Sequence, residues 1–547
     1  MNAKTKTIIL IGLFLLIFIC GTIFIFIVPW NIKITYGLNT TTEDGVIISF
    51  NVFEPINNNN NKKAVIIGHG ATTNKEVMKG YAIELASAGF LAVTLDFRGQ
   101  GQSTGEGTYE GLILDIKAIK SYLNSRTDVD IHNLGYLGYS MGGYGQNLVD
   151  LDTDFKCFIA TATFLTPELR KGNSTHPLNV LILQAQFDEV ISLANQKEAV
   201  STRTGIPLSE IVSNRLYGSF LEGNATKIYI DDNINHLLGH WDPDFIREAR
   251  DWVINTFPDV ERHDENFYAN IRFIILVVQL IGGLGLFFAM IKPLSKGILK
   301  DNVEDILEIK SDRISTKSIT LRSLLYSLGL GIVGIVIFIP LLLLLPLTTA
   351  NFILAFLFGQ AIAITILLWR FGKKNDLKLG EILKKPFSST KGTFIRHLIL
   401  GALLATILFT ILYLSIGLNY LGIVPSLTKM LWEIIYLIIG FFIFIPIGIL
   451  TQGIIQNKFA NNTKDLIKVG IINFSVLFIY FATYLFVFSL IIGTFYYFGS
   501  FVPLAIPIFA LIAFTSVKCY KHTGNMISGM IPGIFFLITL ICAVSSL

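Results

Sequence analysis

About nine separate runs of roughly 20 apolar residues decide what this chain can fold into, because a run of that length spans a bilayer core as a helix. The first extends from Thr7 to about Val28, behind Lys4 and Lys6. It is longer than the apolar core of a signal peptide, and Ile25 to Trp30 has no small-residue cleavage site, so it reads as an uncleaved anchor. Later runs begin near Ile271, Ser323, Asn351, His397, Leu431, Gly470, Phe501 and Met526. Between the first and second lies a long stretch of mixed charge with Asn/Asp/Gly loops. The expected division is therefore an anchor over 1–30, a soluble domain over 31–262, and a polytopic membrane domain of about eight helices over 263–547.

Net charge is +4 over 547 residues, and where the cations sit matters more than the sum. One set of loops carries Lys292, Lys296, Lys300, Lys310, Arg313, Lys317 and Arg322, then Arg370, Lys373, Lys374, Lys378, Lys384, Lys385, Lys391 and Arg396. Two shorter loops of the set carry Lys458, Lys464 and Lys468, then Lys518 and Lys521. The alternate loops are short and poor in positive charge, with Lys429 the main exception. By the positive-inside rule the basic set and the N-terminus are cytoplasmic, which puts the soluble domain outside the cell membrane. No basic, aromatic groove suited to nucleic acid appears. Intramembrane charge, the usual mark of an ion pathway, is scarce. Glu433 is the main candidate, while Gln279, Gln360 and Asn473 read as helix-packing groups.

Of the four cysteines, Cys20, Cys157, Cys519 and Cys542, only Cys157 falls in the soluble stretch, so no internal disulfide is expected there. That stretch must stand on its core. Two alternating runs joined by Asp44-Gly45 predict an antiparallel strand pair over Asn31 to Pro55, ahead of a polar loop from Ile56 to Asn61. Strands are then expected at Ala64–Ile67, Phe90–Leu95, Leu134–Gly138, Phe155–Ala162, Asn179–Gln184 and Thr226–Ile230. Helical patterns fall at Lys75–Ala88, Leu112–Leu123 and Pro243 to about Phe257. The last has Asp242 as N-cap and a buried face of Phe245, Ile246, Ala249, Trp252, Val253 and Phe257. Such alternation implies a mostly parallel sheet with helices on both faces, and reactive groups at the carboxyl ends of its strands.

Gly138-Tyr139-Ser140-Met141-Gly142 stands directly after a strand and before a helix pattern, where the turn G-x-S-x-G lifts a serine hydroxyl above a sheet. A serine needs a base, and the expected order is Ser, acid, His. Asp188 follows the strand ending VLILQAQF, with Glu189 as the alternative acid. His236 follows the last strand, with His240 as the alternative base. His132 and His176 fall in surface loops and His263 in the linker. Acyl transfer also needs backbone donors for the oxyanion. The N–H of Met141 supplies one, and the loop Gly68-His69-Gly70-Ala71 supplies another through Ala71, with His69 structural.

These residues resemble the α/β-hydrolase superfamily, in particular its serine aminopeptidase and dienelactone-hydrolase-like branches. His69-Gly70 matches the H-G oxyanion loop, and Asp96, Arg98, Gly99, Gly101 and Ser103 match D-x-R-G-x-G-x-S. Ser140, Asp188 and His236 match the nucleophile, acid and base. The resemblance covers roughly residues 35 to 260 and leaves the membrane half aside. It implies an α/β-hydrolase fold joined to an all-α transmembrane domain, and a serine hydrolase cleaving an ester or related acyl bond without metal or cofactor. Tethering at both ends suggests membrane lipid, acylated protein or peptide as substrate. A serine peptidase, and a transporter or scaffold with an inactive hydrolase-like domain, are the alternatives. The stretch Thr163–Leu178 is too short for a large cap, and Thr202–Ala225 is long enough for a small lid. Asn39, Asn173 and Asn224 head glycosylation triplets in expected loops.

Overall fold

The computed structural model describes residues 3–56, 61–262, 264–300, 315–459 and 462–547. Positions 57–60 of the polar loop, His263, and the loop cations Lys310 and Arg313 lie outside the described residues. The chain forms two compact units. One comprises Thr22–Val277, Leu414–Thr428 and Ala543–Leu547, and the other Met1–Gly21, Val278–Tyr413 and Lys429–Cys542.

After helix α1 (Ala3–Ile27), the first unit runs β1 (Ile32–Thr41), β2 (Ile47–Pro55), β3 (Lys62–Gly68), α2 (Lys79–Ser87), β4 (Leu91–Leu95) and α3 (Tyr109–Asn124). It continues with β5 (Val129–Tyr139), α4 (Gln146–Leu151), β6 (Phe155–Thr161), β7 (Asn179–Phe187), α5 (Leu193–Thr204), β8 (Leu216–Tyr217), β9 (Thr226–Asn235) and α6 (Pro243–Thr256). The start of α7 (Ala269–Leu299) closes it. The strands form one sheet in the order β1-β2-β4-β3-β5-β6-β7-β9-β8. Pairing is parallel from β4 through β3, β5, β6 and β7 to β9, and antiparallel for β1/β2, β2/β4 and β8/β9.

The central strands are buried on both faces, so alternate side chains enter two separate cores. Val65, Ile67, Leu137 and Tyr139 pack on one face under α2 and α6, through Tyr81, Leu85, Phe245 and Trp252. Ala64, Ile66, Leu134 and Tyr136 pack on the other under α3, α4 and α5, through Leu112, Ile116, Val149 and Val200. The face expected of α6 is the buried one, with Phe257 just beyond its end.

Two expectations are corrected. The Thr202–Ala225 segment does not form a lid. Its strand β8 pairs Leu216 with Lys227 and Tyr217 with Thr226, at the beginning of β9 and therefore at the sheet edge away from Ser140. Asn39 lies within β1 and not in a loop.

In the second unit, together with the flanking ends of its helices, eight helices among the described residues are long and apolar enough to cross a membrane. A ninth arises if the bent pair Thr316–Leu330 and Val333–Leu344 is one span. The Gln360 amide donates to Val476 O at 2.7 Å, and a Cβ on Gly21 would lie 2.7 Å from Gln279 Cβ. Both are close helix-packing contacts, as polar and small residues make in apolar bundles. Glu433 is buried and accepts from the Thr539 hydroxyl.

Candidate active site

Register brings the candidate residues together. Phe187 pairs with Asn235 across β7 and β9, so the next residue of each strand, Asp188 and His236, emerges beside the other. Gly68 pairs with Gly138 across β3 and β5, which sets the His69–Ala71 loop against the Ser140 turn. All four strands deliver these residues at their carboxyl ends.

Ser140 holds φ at +48°, a left-handed conformation uncommon for a residue with a side chain. The flanking glycines make the turn possible. A Cβ on Gly138 would lie 2.6 Å from Gly142 O, and one on Gly142 would lie 2.7 Å from Gly68 O. His236 Nε2 stands 3.0 Å from Ser140 Oγ. His236 Nδ1 stands 2.9 and 3.0 Å from the two carboxylate oxygens of Asp188. The Asp188 side chain is 1% exposed and also accepts from the N–H groups of Val190 (2.9 Å) and Ile191 (2.8 Å). A carboxylate held this way accepts the ring proton at Nδ1 and leaves Nε2 to accept from the serine hydroxyl.

The two alternatives have other partners. Glu189 accepts from the backbone N–H of His236 and the Asn235 amide, both at 3.2 Å, and so fixes the histidine loop. His240 is buried and stacked on Tyr139, with ring centroids 3.5 Å apart, and its Nδ1 donates to Leu237 O at 2.8 Å. Burial lowers its pKa to about 3, so the ring is neutral.

The two backbone N–H groups expected to meet an oxyanion belong to residues close to the serine. Met141 follows it, and a Cβ on Gly70, next to Ala71, would lie 3.3 Å from Ser140 Cβ. The oxyanion loop is pinned by His69, whose Nε2 accepts from Phe97 N–H at 3.1 Å and whose Nδ1 meets Gly70 O at 2.7 Å. Asp96 accepts from the Lys75 backbone N–H (2.7 Å) and ammonium (2.5 Å), tying this loop to the next one. Arg98 pairs with Asp115 and Asp44 at 2.9 and 2.7 Å.

Sequence reasoning missed several supports. The Tyr139 hydroxyl donates to His236 O at 2.5 Å, and the Tyr81 hydroxyl to Gly239 O at 2.6 Å. Neither carries a local signal, since a tyrosine in a strand or helix reads only as core. Phe187, Val190 and Leu238, each within two residues of Asp188 or His236 in sequence, are all at least 40% exposed.

The strand order and the turn that carries Ser140 are those of an α/β-hydrolase fold. Residues 59–185 match the family described as serine aminopeptidase, S33. An uncharacterized protein of Mycobacterium tuberculosis strain H37Rv is 28% identical over 101 residues, 18% of this chain and 36% of its own length. The uncharacterized protein YfhR of Salmonella typhi is 24% identical over 174 residues, covering 26% of this chain and 60% of its own. The chain thus spans about a third to three-fifths of these relatives. Among solved structures, a Pyrococcus furiosus esterase aligns over 40% of this chain and 91% of its own, with 16% identity and a TM-score of 0.32. A predicted CIB-like hydrolase from Thermoplasma acidophilum aligns over 41% and 99%, with 16% identity and a TM-score of 0.31.

Proposed function

We propose that the chain is a membrane-anchored serine hydrolase that cleaves an ester or related acyl bond through an acyl-enzyme on Ser140. The observation that carries this reading is the continuous relay from Asp188 through His236 to Ser140 Oγ, with 3.0 Å at the step to the hydroxyl. His236 Nε2 takes the hydroxyl proton as Oγ attacks the carbonyl carbon, and Asp188 stabilises the imidazolium. The N–H groups of Met141 and Ala71 meet the oxyanion. On collapse His236 returns the proton to the leaving alkoxide. Water then repeats the sequence and frees the acid.

The exposed apolar side chains next to Asp188 and His236 in sequence favour a substrate with an acyl chain, because exposed apolar surface at reactive groups suits an apolar ligand. Membrane lipid or acylated protein at the outer surface fits this better than a soluble metabolite. A peptide is the second substrate class, which the S33 match supports.

The test is labelling of membranes with a fluorophosphonate. Wild type should label, and Ser140→Ala and His236→Ala should each lower the rate by at least about a thousandfold, as loss of a triad member does. Undiminished labelling of folded Ser140→Ala overturns the assignment. Relative turnover of acyl esters and aminoacyl amides then separates esterase from peptidase.

A further inference from the structure

Residues 414–428 belong to the hydrolase unit although they connect two of the long apolar helices in sequence. Three consecutive residues of this loop meet three different parts of the unit. Tyr420 O accepts from the Trp241 indole N–H at 3.0 Å. Leu421 packs on the core cluster that contains Val77, Tyr81 and Phe245. Gly422 exchanges two hydrogen bonds with the Asn74 amide: its N–H donates to Oδ1 at 2.9 Å, and its O accepts from Nδ2 at 2.8 Å.

Asn74 and Trp241 sit on the two loops that the acyl-transfer reading needs held still. Asn74 is three residues past Ala71, and Trp241 is five past His236. Asn74 occupies the N-cap position of the short helix Lys75–Met78, where an Asn side chain ordinarily accepts from the helix's own N–H groups. Here it makes no such bond, and the buried amide is turned over to Gly422. Next along, the buried Lys79 ammonium donates to Leu418 O at 2.8 Å and Asn419 Oδ1 at 3.0 Å. A buried ammonium is tolerated only where oxygens replace its water, and this loop supplies two of them. Gly422 is the residue that allows the fit, since a Cβ there would lie 2.8 Å from Glu76 Oε2 and 2.9 Å from both amide atoms of Asn74.

We propose, building on the acyl-transfer reading above, that the 418–422 loop is a clamp that holds the oxyanion loop and the histidine loop at reactive spacing, with Asn74 and Trp241 as its positioning residues. The oxyanion N–H of Ala71 and the imidazole of His236 are set by loops, and loops keep catalytic spacing only when braced. His69, Tyr139 and Glu189 brace them from within the sheet edge. The clamp adds a second set of braces with residues that come about 180 positions after His236. Competence of Ser140 then depends on a segment of the membrane half of the sequence.

The test uses the full chain and the second-order rate constant for fluorophosphonate labelling, with Ser140→Ala as blank. Gly422→Ala and Asn74→Ala should each slow labelling about tenfold, within what a misplacement of an ångström or less costs. The double variant should be no slower than either single one, because both break one link. A merely structural role would lower the fraction of protein that labels and leave the rate constant of that fraction unchanged. Trp241→Phe, which removes a single N–H and keeps the ring packing, is the variant to read if the others fail to fold. Wild-type rate constants in the folded variants overturn the clamp. Labelling of Ser140→Ala at the wild-type rate overturns the Ser140 reading, and the clamp with it.

Discussion

His236 and His240 lie one helical turn apart in sequence, and their surroundings give them opposite tasks. His236 bridges a carboxylate and a hydroxyl. His240 lies flat on Tyr139 in a site that refuses a proton until about pH 3. An unfolded histidine takes that proton near pH 6.5. The folded pKa is depressed, so the contribution of His240 to stability is present above about pH 6.5 and is lost as pH falls toward 3. His240→Phe keeps a ring against Tyr139 and removes the titration. Its melting temperature should therefore fall less steeply than that of wild type between about pH 6.5 and 4. Fluorophosphonate labelling should survive in His240→Phe and vanish in His236→Phe. Parallel melting curves across the pH series would count against the burial of a neutral ring at this position.

At the scale of elements, α6 follows the histidine loop and anchors its far end. Asp242 caps it by accepting from the N–H groups of Asp244 at 3.0 Å and Phe245 at 2.8 Å. Asp242→Ala should cost about 1 kcal/mol, as cap removal typically does. For a domain of this size that is a fall in melting temperature of roughly 2–4 °C per kcal/mol. Asp242→Asn keeps the acceptor and should melt close to wild type, and differential scanning calorimetry distinguishes the two. This cap and the apolar face behind it were legible in the sequence because both are local patterns: an Asp-Pro start and apolar residues at helical spacing. The strands were legible for the same reason, as apolar runs bounded by turn residues. Strand β8 was not, since a two-residue strand has too few positions to show a period, and its segment was read as a lid. The relay residues were legible from their place just after strands. The Asn74–Gly422 pair was not, because hydrogen bonds between residues 348 apart leave no local pattern.

At the scale of the whole molecule, the sequence separates soluble from apolar stretches cleanly, yet the compact units do not follow that order. Segments 414–428 and 543–547 join the sheet-bearing unit, and the Leu547 N–H donates to Gly99 O at 3.0 Å. Hydropathy reports what each stretch can be buried in and is silent on which partner it meets. Orientation is a separate matter, and loop charge is the feature that bears on it. The basic loops alternate with loops poor in cations, and the positive-inside rule predicts from such an asymmetry that the cation-rich side faces the cytoplasm. Two exposed positions read it out. Ser174 lies in a loop of the sheet-bearing unit, and Lys374 ends the helix Thr348–Lys374 on a basic loop. In cells expressing the full chain, Ser174→Cys should react with a membrane-impermeant maleimide without permeabilisation, against the unsubstituted chain as background. Lys374→Cys should react only after permeabilisation. The reverse pattern would put Ser140 in the cytoplasm and shift the substrate from the outer leaflet to the inner one. Reaction at both positions in intact cells would mean that the loop cations do not set the topology.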